Sequence, residues 1–128
     1  FYANEFRELG IELHAPMLED EATGTSLIVI TPDSERTMNT ALAVNAGYDK
    51  HHVPEDAIKR SEWLYFESFK FTEETGAAAI EEALFYAKKH DTKIAVSFSD
   101  TFVINVFGSH VRKAVLKSDL IFCNQAEA

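Results

Sequence analysis

The sequence predicts an α/β chain built on a parallel sheet. Three apolar, strand-like runs stand in its second half: WLYFESF (63–69), KIAVSF (93–98) and SDLIFCN (118–124). Between them lie two stretches whose apolar residues recur with the helical period. The connections are short, so strand, helix, strand, helix, strand implies right-handed crossovers and parallel strands.

At the N-terminus, FYANEFREL (1–9) has helical spacing, with Phe1, Phe6 and Leu9 near one face, and stops at Gly10, a good residue to end a helix. IELHAP alternates apolar and polar residues, which predicts a short strand over about residues 11–18. MLEDEATG is acidic and loop-like. Leu27–Ile30 is a β-branched run, and RTMNTAL (36–42) is a second strand pattern. Between them Pro32-Asp33-Ser34 is turn chemistry, because proline presets φ at the second turn position. Residues 25–44 therefore read as a hairpin or two neighbouring strands, with Thr37, Asn39 and Ala41 on one face and Met38, Thr40 and Leu42 on the other. Residues 45–52 are a loop. VPEDAIKRS is a short helix with Pro54 at its first position, where a missing N–H costs least. A helix from about Thr75 to His90 places Ile80, Ala83, Leu84 and Ala87 on one face. Lys88, Lys89 and His90 complement its dipole. Asp100 or Thr101 caps a helix reaching about Lys117, with Val103, Val106, Phe107, His110 and Val111 near one face.

Composition bounds the function. Hydrophobic content of 46% and charged content of 26% are ordinary for a folded domain. A net charge of −9 disfavours nucleic-acid and membrane-surface partners. The single cysteine, Cys123, fits a reducing compartment. No apolar stretch approaches membrane-spanning length and no charged-then-apolar leader stands at the start, so a soluble cytoplasmic chain is expected. His14, His51, His52, His90 and His110 lack zinc-motif spacing. Neither a glycine-rich phosphate loop nor a serine-hydrolase elbow is present.

Three sets of residues remain. Arg36 is either a solvated turn charge or a guanidinium that closes over a bound anion. Phe66, Phe69, Phe71 and Phe102, on or just past strand ends, are either core or a stacking wall for a planar ring. In an open parallel sheet ligands bind beyond the carboxyl ends of the strands. Asn124 and Glu127 stand at such an end. They read as a helix capping box. The same pair could also order a hydrated Mg²⁺ near phosphates, since Mg²⁺ keeps several waters and takes few protein carboxylates.

Taken together and in order, TGTSLIVITPDSERTMNTALAVNAGY, FSDTFVINVF and DLIFCNQAEA resemble the ribokinase-like (PfkB) family, within it the adenosine kinase branch. The first resembles the family's substrate lid, the second the stretch after a central strand, and the third its N-x-x-E motif. Thr101 stands where the family usually has proline.

The resemblance implies a Rossmann-like parallel sheet with helices on both faces, plus β lid strands over about 11–18 and 25–44. Residues 53–128 would be its β-α-β-α-β core, and 1–128 the central part of one kinase domain. It implies ATP and Mg²⁺ as cofactors and phosphorylation of the 5′-hydroxymethyl of an adenosine-like nucleoside or related furanose. Ser26, Arg36, Met38, Phe69 and Phe102 would meet the substrate, although the FESFKF alignment can slip by one at Phe69. Asn124 and Glu127 would organise Mg²⁺ and phosphate. The catalytic base and most of the ATP site would lie after Ala128, so the chain by itself is expected to be inactive. Lid strands in this family sometimes pair between subunits, the expected route to a homodimer. The competing expectation is a complete, non-catalytic α/β binding or interaction module.

Overall fold

The computed structural model describes residues 2–128. Helix α1 spans Tyr2–Glu8. It ends as expected at Gly10, whose φ is +71°. Ile11 N–H donates to the Phe6 carbonyl at 2.8 Å and Gly10 N–H to that of Arg7 at 3.1 Å, the paired bonds that close a helix through a left-handed glycine. Phe1, expected on the same helix face as Phe6, lies outside the described residues.

Residues 11–18 do not form the expected strand. Alternation supplies a face, but a strand also needs a neighbour to hydrogen-bond, and none runs alongside among the described residues. Pro16 removes a donor as well. The segment is instead tied to the following helix through a side chain: Arg60 Nη2 donates to Glu12 Oε2 at 3.0 Å. That guanidinium holds the Glu12 carboxyl below its usual range.

Strands β1 (Thr25–Ile30) and β2 (Arg36–Ala41) form the expected hairpin. They pair antiparallel in a register running from Thr25↔Ala41 to Ile30↔Arg36. The turn closes through Ser34 N–H to the Thr31 carbonyl at 2.9 Å, with Pro32 at its second position. Ser34 has φ +69°, the left-handed residue that a three-residue hairpin loop requires. Every residue of both strands is exposed.

The larger sheet has strands β3 (Trp63–Glu67), β4 (Lys93–Ser97) and β5 (Leu120–Phe122), parallel and in the order β3-β4-β5. Helix α2 (Glu55–Arg60) precedes it, with Pro54 as its N-cap rather than its first helical residue. Helices α3 (Glu74–Lys89) and α4 (Thr101–Val115) are the crossovers. Ile80, Leu84 and Ala87 of α3 pack with Val103, Val111 and Ala114 of α4, over Ile94 and the half-buried Leu64 and Phe66. Fully burying the valine, leucine and isoleucine side chains among these contributes about 1.5–3 kcal/mol each. Val106, expected on the same stripe, is 59% exposed. The helix departs from helical geometry at Phe107 (φ −112°, ψ 20°), and its buried stripe runs through Val103, Val111 and Ala114.

The parallel α/β class is as expected. Both crossovers step the same way across the sheet, and a right-handed crossover then places both helices on one face. The opposite face carries Trp63, Tyr65, Leu120 and Phe122, all exposed. A helix reaches that face only where the strand order reverses, and among the described residues it does not.

Candidate functional site

The three parallel strands end at one edge, because Glu67, Ser97 and Phe122 stand in register. The segments just past these strand ends build the site. After β3 the chain turns at once into a 3-10 helix over Ser68–Thr72. That tight turn sorts the phenylalanines that the sequence could not separate. Phe71 is 4% exposed and meets Phe66 edge-on with centroids 6.3 Å apart, so both belong to the core. Phe69 is exposed at the strand end.

After β4, Ser99 has φ +66°. Asp100 then caps α4: its Oδ1 accepts from the Phe102 N–H at 2.7 Å. The cap sets the first turn of the helix and leaves the Phe102 ring exposed. That ring is braced edge-on by Phe107, with centroids 6.1 Å apart.

After β5, Asn124 and Glu127 form a complete capping box. Asn124 Oδ1 accepts from the N–H of Ala126 and of Glu127, at 2.9 and 3.0 Å. Glu127 Oε2 accepts from the Asn124 N–H at 3.1 Å, and Oε1 from Asn124 Nδ2 at 2.9 Å. The pair lines a concavity of about 380 Å³ with Ser97, Phe122 and Cys123. It supplies hard oxygen donors from one half-buried carboxylate and one exposed amide. That donor set fits a Mg²⁺ held through its own waters, not one enclosed by protein ligands. A larger concavity, about 510 Å³, lies between α1 and residues 10–17, away from the strand ends.

The hairpin brings its three expected residues together. Ser26 faces Thr40, Ile28 faces Met38 and Ile30 faces Arg36. Alternation then puts Ser26, Arg36 and Met38 on one face of the two-stranded sheet. Ser26 Oγ and Thr40 Oγ1 are 2.9 Å apart. Among the described residues the Arg36 guanidinium has no hydrogen-bond or ion-pair partner, so its donors are available to an anion.

The root of the hairpin is held beside the strand ends by residues that sequence reasoning missed. The chain leaves β2 through a 3-10 helix over Ala43–Gly47. Lys70 Nζ donates to the Asn45 carbonyl at 3.0 Å, and Thr75 Oγ1 to the Ala46 carbonyl at 2.7 Å. Lys70 also pairs with Glu73 at 3.2 Å. Two glycines make room for this joint. A Cβ on Gly24 would stand 2.5 Å from Asn45 Nδ2, and one on Gly76 would collide with the Lys70 carbonyl. Lysine between phenylalanines in FKF was the one available hint, since a cation in an apolar run needs a partner.

The sequence model of the pfkB family of carbohydrate kinases matches residues 1–128. No curated protein sequence matches the chain. Among solved structures, the chain is similar to the adenosine kinase from Sinorhizobium meliloti, at 27% identity and a TM-score of 0.89, over 98% of this chain and 39% of that one. It is also similar to a probable sugar kinase from Rhizobium etli CFN 42, at 23% identity and a TM-score of 0.88, again over 98% and 39%. A putative ribokinase II from E. coli in complex with ATP and Mg²⁺ shares the fold at 14% identity and a TM-score of 0.80, over 93% and 40%. The chain thus spans about two fifths of the length of the structures it matches.

Proposed function

We propose a function from the premise that the chain belongs to the pfkB family of carbohydrate kinases. The complete protein transfers a phosphoryl group to the 5′-hydroxymethyl of an adenosine-like nucleoside or a related furanose. One observation carries this reading. A hairpin bearing Ser26, Arg36 and Met38 on one face is rooted by Lys70 and Thr75 beside the edge that bears Phe69, Phe102, Asn124 and Glu127.

The chemistry of the side chains suggests their roles. Phe102, exposed and braced by Phe107, offers a face on which a planar base can stack. Phe69 would add to that wall. Ser26 and Met38 would close over the nucleoside from the hairpin. Excluding water in this way protects the phosphoryl group from hydrolysis. Arg36 would present its guanidinium to the developing phosphate charge. Glu127, held by Asn124, would meet Mg²⁺ through water. ATP with Mg²⁺ supplies the phosphoryl group and neutralises its charge, and most of this catalysis is alignment and charge stabilisation. The proton acceptor for the 5′-hydroxyl would lie outside residues 1–128, so the isolated chain is expected to be inactive.

The test compares adenosine, ribose and fructose in the full-length protein, by ADP release and by thermal shift. Turnover of adenosine, with a rise in melting temperature that ribose does not produce, is the expected result. Turnover of fructose or ribose alone would move the reading to a simple sugar. No turnover of any of the three would sink it and favour a non-catalytic binding module.

A further inference from the structure

The end of β4 carries a strained turn that is held partly from its own strand and partly from the segment that follows β3. Within the strand, Ser99 N–H donates to Ser97 Oγ at 3.3 Å and Ser99 Oγ to the Ser97 carbonyl at 3.4 Å. Asp100 N–H donates to the Phe98 carbonyl at 2.8 Å, a three-residue turn about Ser99. Ser99 sits at φ +66° although it is not glycine. This is the rare and strained hand of the γ-turn. Such a conformation persists only when the surroundings over-determine it.

The surroundings here are specific. Ser68, the first residue after β3, is fully buried. Its hydroxyl donates to the same Phe98 carbonyl at 2.5 Å. Phe98 N–H donates to the Phe122 carbonyl at 3.0 Å, so the residue is held on one side from β5 and on the other from the segment that follows β3. On the far side of the turn, Asp100 caps α4 and thereby sets Phe102. A single carbonyl therefore links a buried serine just after β3 to the exposed aromatic in the first turn of α4.

We infer that Ser68 is a positioning residue for substrate binding: its buried hydroxyl pins the Phe98-Ser99-Asp100 turn in its strained form, and the turn aims Phe102 at the acceptor. The inference rests on the kinase reading only for the identity of the acceptor. Without the pin, Ser99 relaxes toward negative φ and the start of α4 shifts. The carbonyl itself keeps its bond from Asp100, so Ser68→Ala removes a constraint without stranding an acceptor.

The experiment uses the complete protein with Ser68→Ala, Ser99→Gly and the double substitution. Steady-state kinetics with ATP, Mg²⁺ and adenosine are read beside amide hydrogen exchange over residues 100–104. Ser68→Ala should raise the adenosine KM about five-fold, the equilibrium equivalent of one hydrogen bond. The kcat should stay within about two-fold and exchange over 100–104 should quicken. Glycine accepts positive φ without strain. In the Ser99→Gly background, Ser68→Ala should therefore change KM less than about two-fold. If Ser68→Ala does not fold, Ser68→Cys, similar in size but a weaker donor, carries the same comparison. Unchanged exchange would overturn the pin whatever the turnover, and so would an equal KM effect with and without Ser99→Gly in a protein that turns over adenosine. Quickened exchange in a protein that turns over none of adenosine, ribose and fructose would instead overturn the kinase reading and leave the pin standing.

Discussion

Lys70 is the residue on which the root of the hairpin depends, and Lys70→Met tests how much. Methionine keeps the length and apolar stem of lysine but donates nothing. Two interactions disappear: the bond to the Asn45 carbonyl at 3.0 Å and the pair with Glu73 at 3.2 Å. The Lys70 and Glu73 side chains are 33% and 17% exposed, so the pair lies between the surface and the interior. Exposed pairs contribute about 0–1 kcal/mol and breaking a buried one costs about 3–5 kcal/mol. Glu73 Oε1 is already buried without a hydrogen-bond partner, so removing the lysine leaves the carboxylate poorly compensated. A loss of about 2 kcal/mol is expected. Adding Glu73→Gln should recover about 1 kcal/mol, since a neutral amide costs less to leave unpaired. Denaturant titration of the full-length protein measures each variant and the double-mutant cycle gives the coupling. Amide exchange over residues 43–47 should quicken in Lys70→Met alone. A loss below about 0.5 kcal/mol, or double-variant effects that simply add, would refute the assignment of Lys70 as the clamp, since exposed pairs and distant sites behave in that way.

Two further predictions concern charge. Glu127→Gln keeps the length of the capping side chain but removes its charge; the Mg²⁺ concentration for half-maximal activity should rise several-fold while the acceptor KM stays nearly constant, and an unchanged Mg²⁺ dependence would remove Glu127 from the phosphate site. Glu55 accepts from Lys89 at 2.7 Å and from His90 at 2.8 Å, and these bonds hold its carboxyl below the ordinary glutamate value of 4.5. A depressed carboxyl stabilises the fold above its unfolded pKa and loses that contribution as pH falls through the folded value. Glu55→Gln should therefore lower stability at neutral pH and flatten the decline of melting temperature below about pH 4.5; identical acid limbs in the two proteins would rule the ion cluster out as a source of stability.

Much of the chain is shaped by interactions within a few residues, and these were legible in the sequence. Gly10 ends α1, Pro32 turns the hairpin, Asp100 caps α4, and Asn124 with Glu127 form a capping box, each through bonds to near neighbours. The helical period placed Ile80, Leu84, Val103 and Val111 inward because one helix face can be read from spacing alone. The alternation of the hairpin likewise assigned Arg36 and Met38 to their strand.

Tertiary structure decided whatever depends on a partner distant in the chain. Residues 11–18 alternate like a strand but join no ladder among the described residues. Phe66 and Phe71 went to the core and Phe69 to the edge, because a 3-10 turn after β3 separates positions that spacing could not, while the Asp100 cap of α4 left Phe102 exposed. Lys70 meets Asn45, and Ser68 meets Phe98, across 25 and 30 residues. A hydroxyl or an ammonium carries no mark of its partner in the sequence. Local propensity records what a residue does to its own backbone, whereas the aim of Phe102 and the anchoring of the hairpin come from hydrogen bonds that exist only once the strands lie side by side.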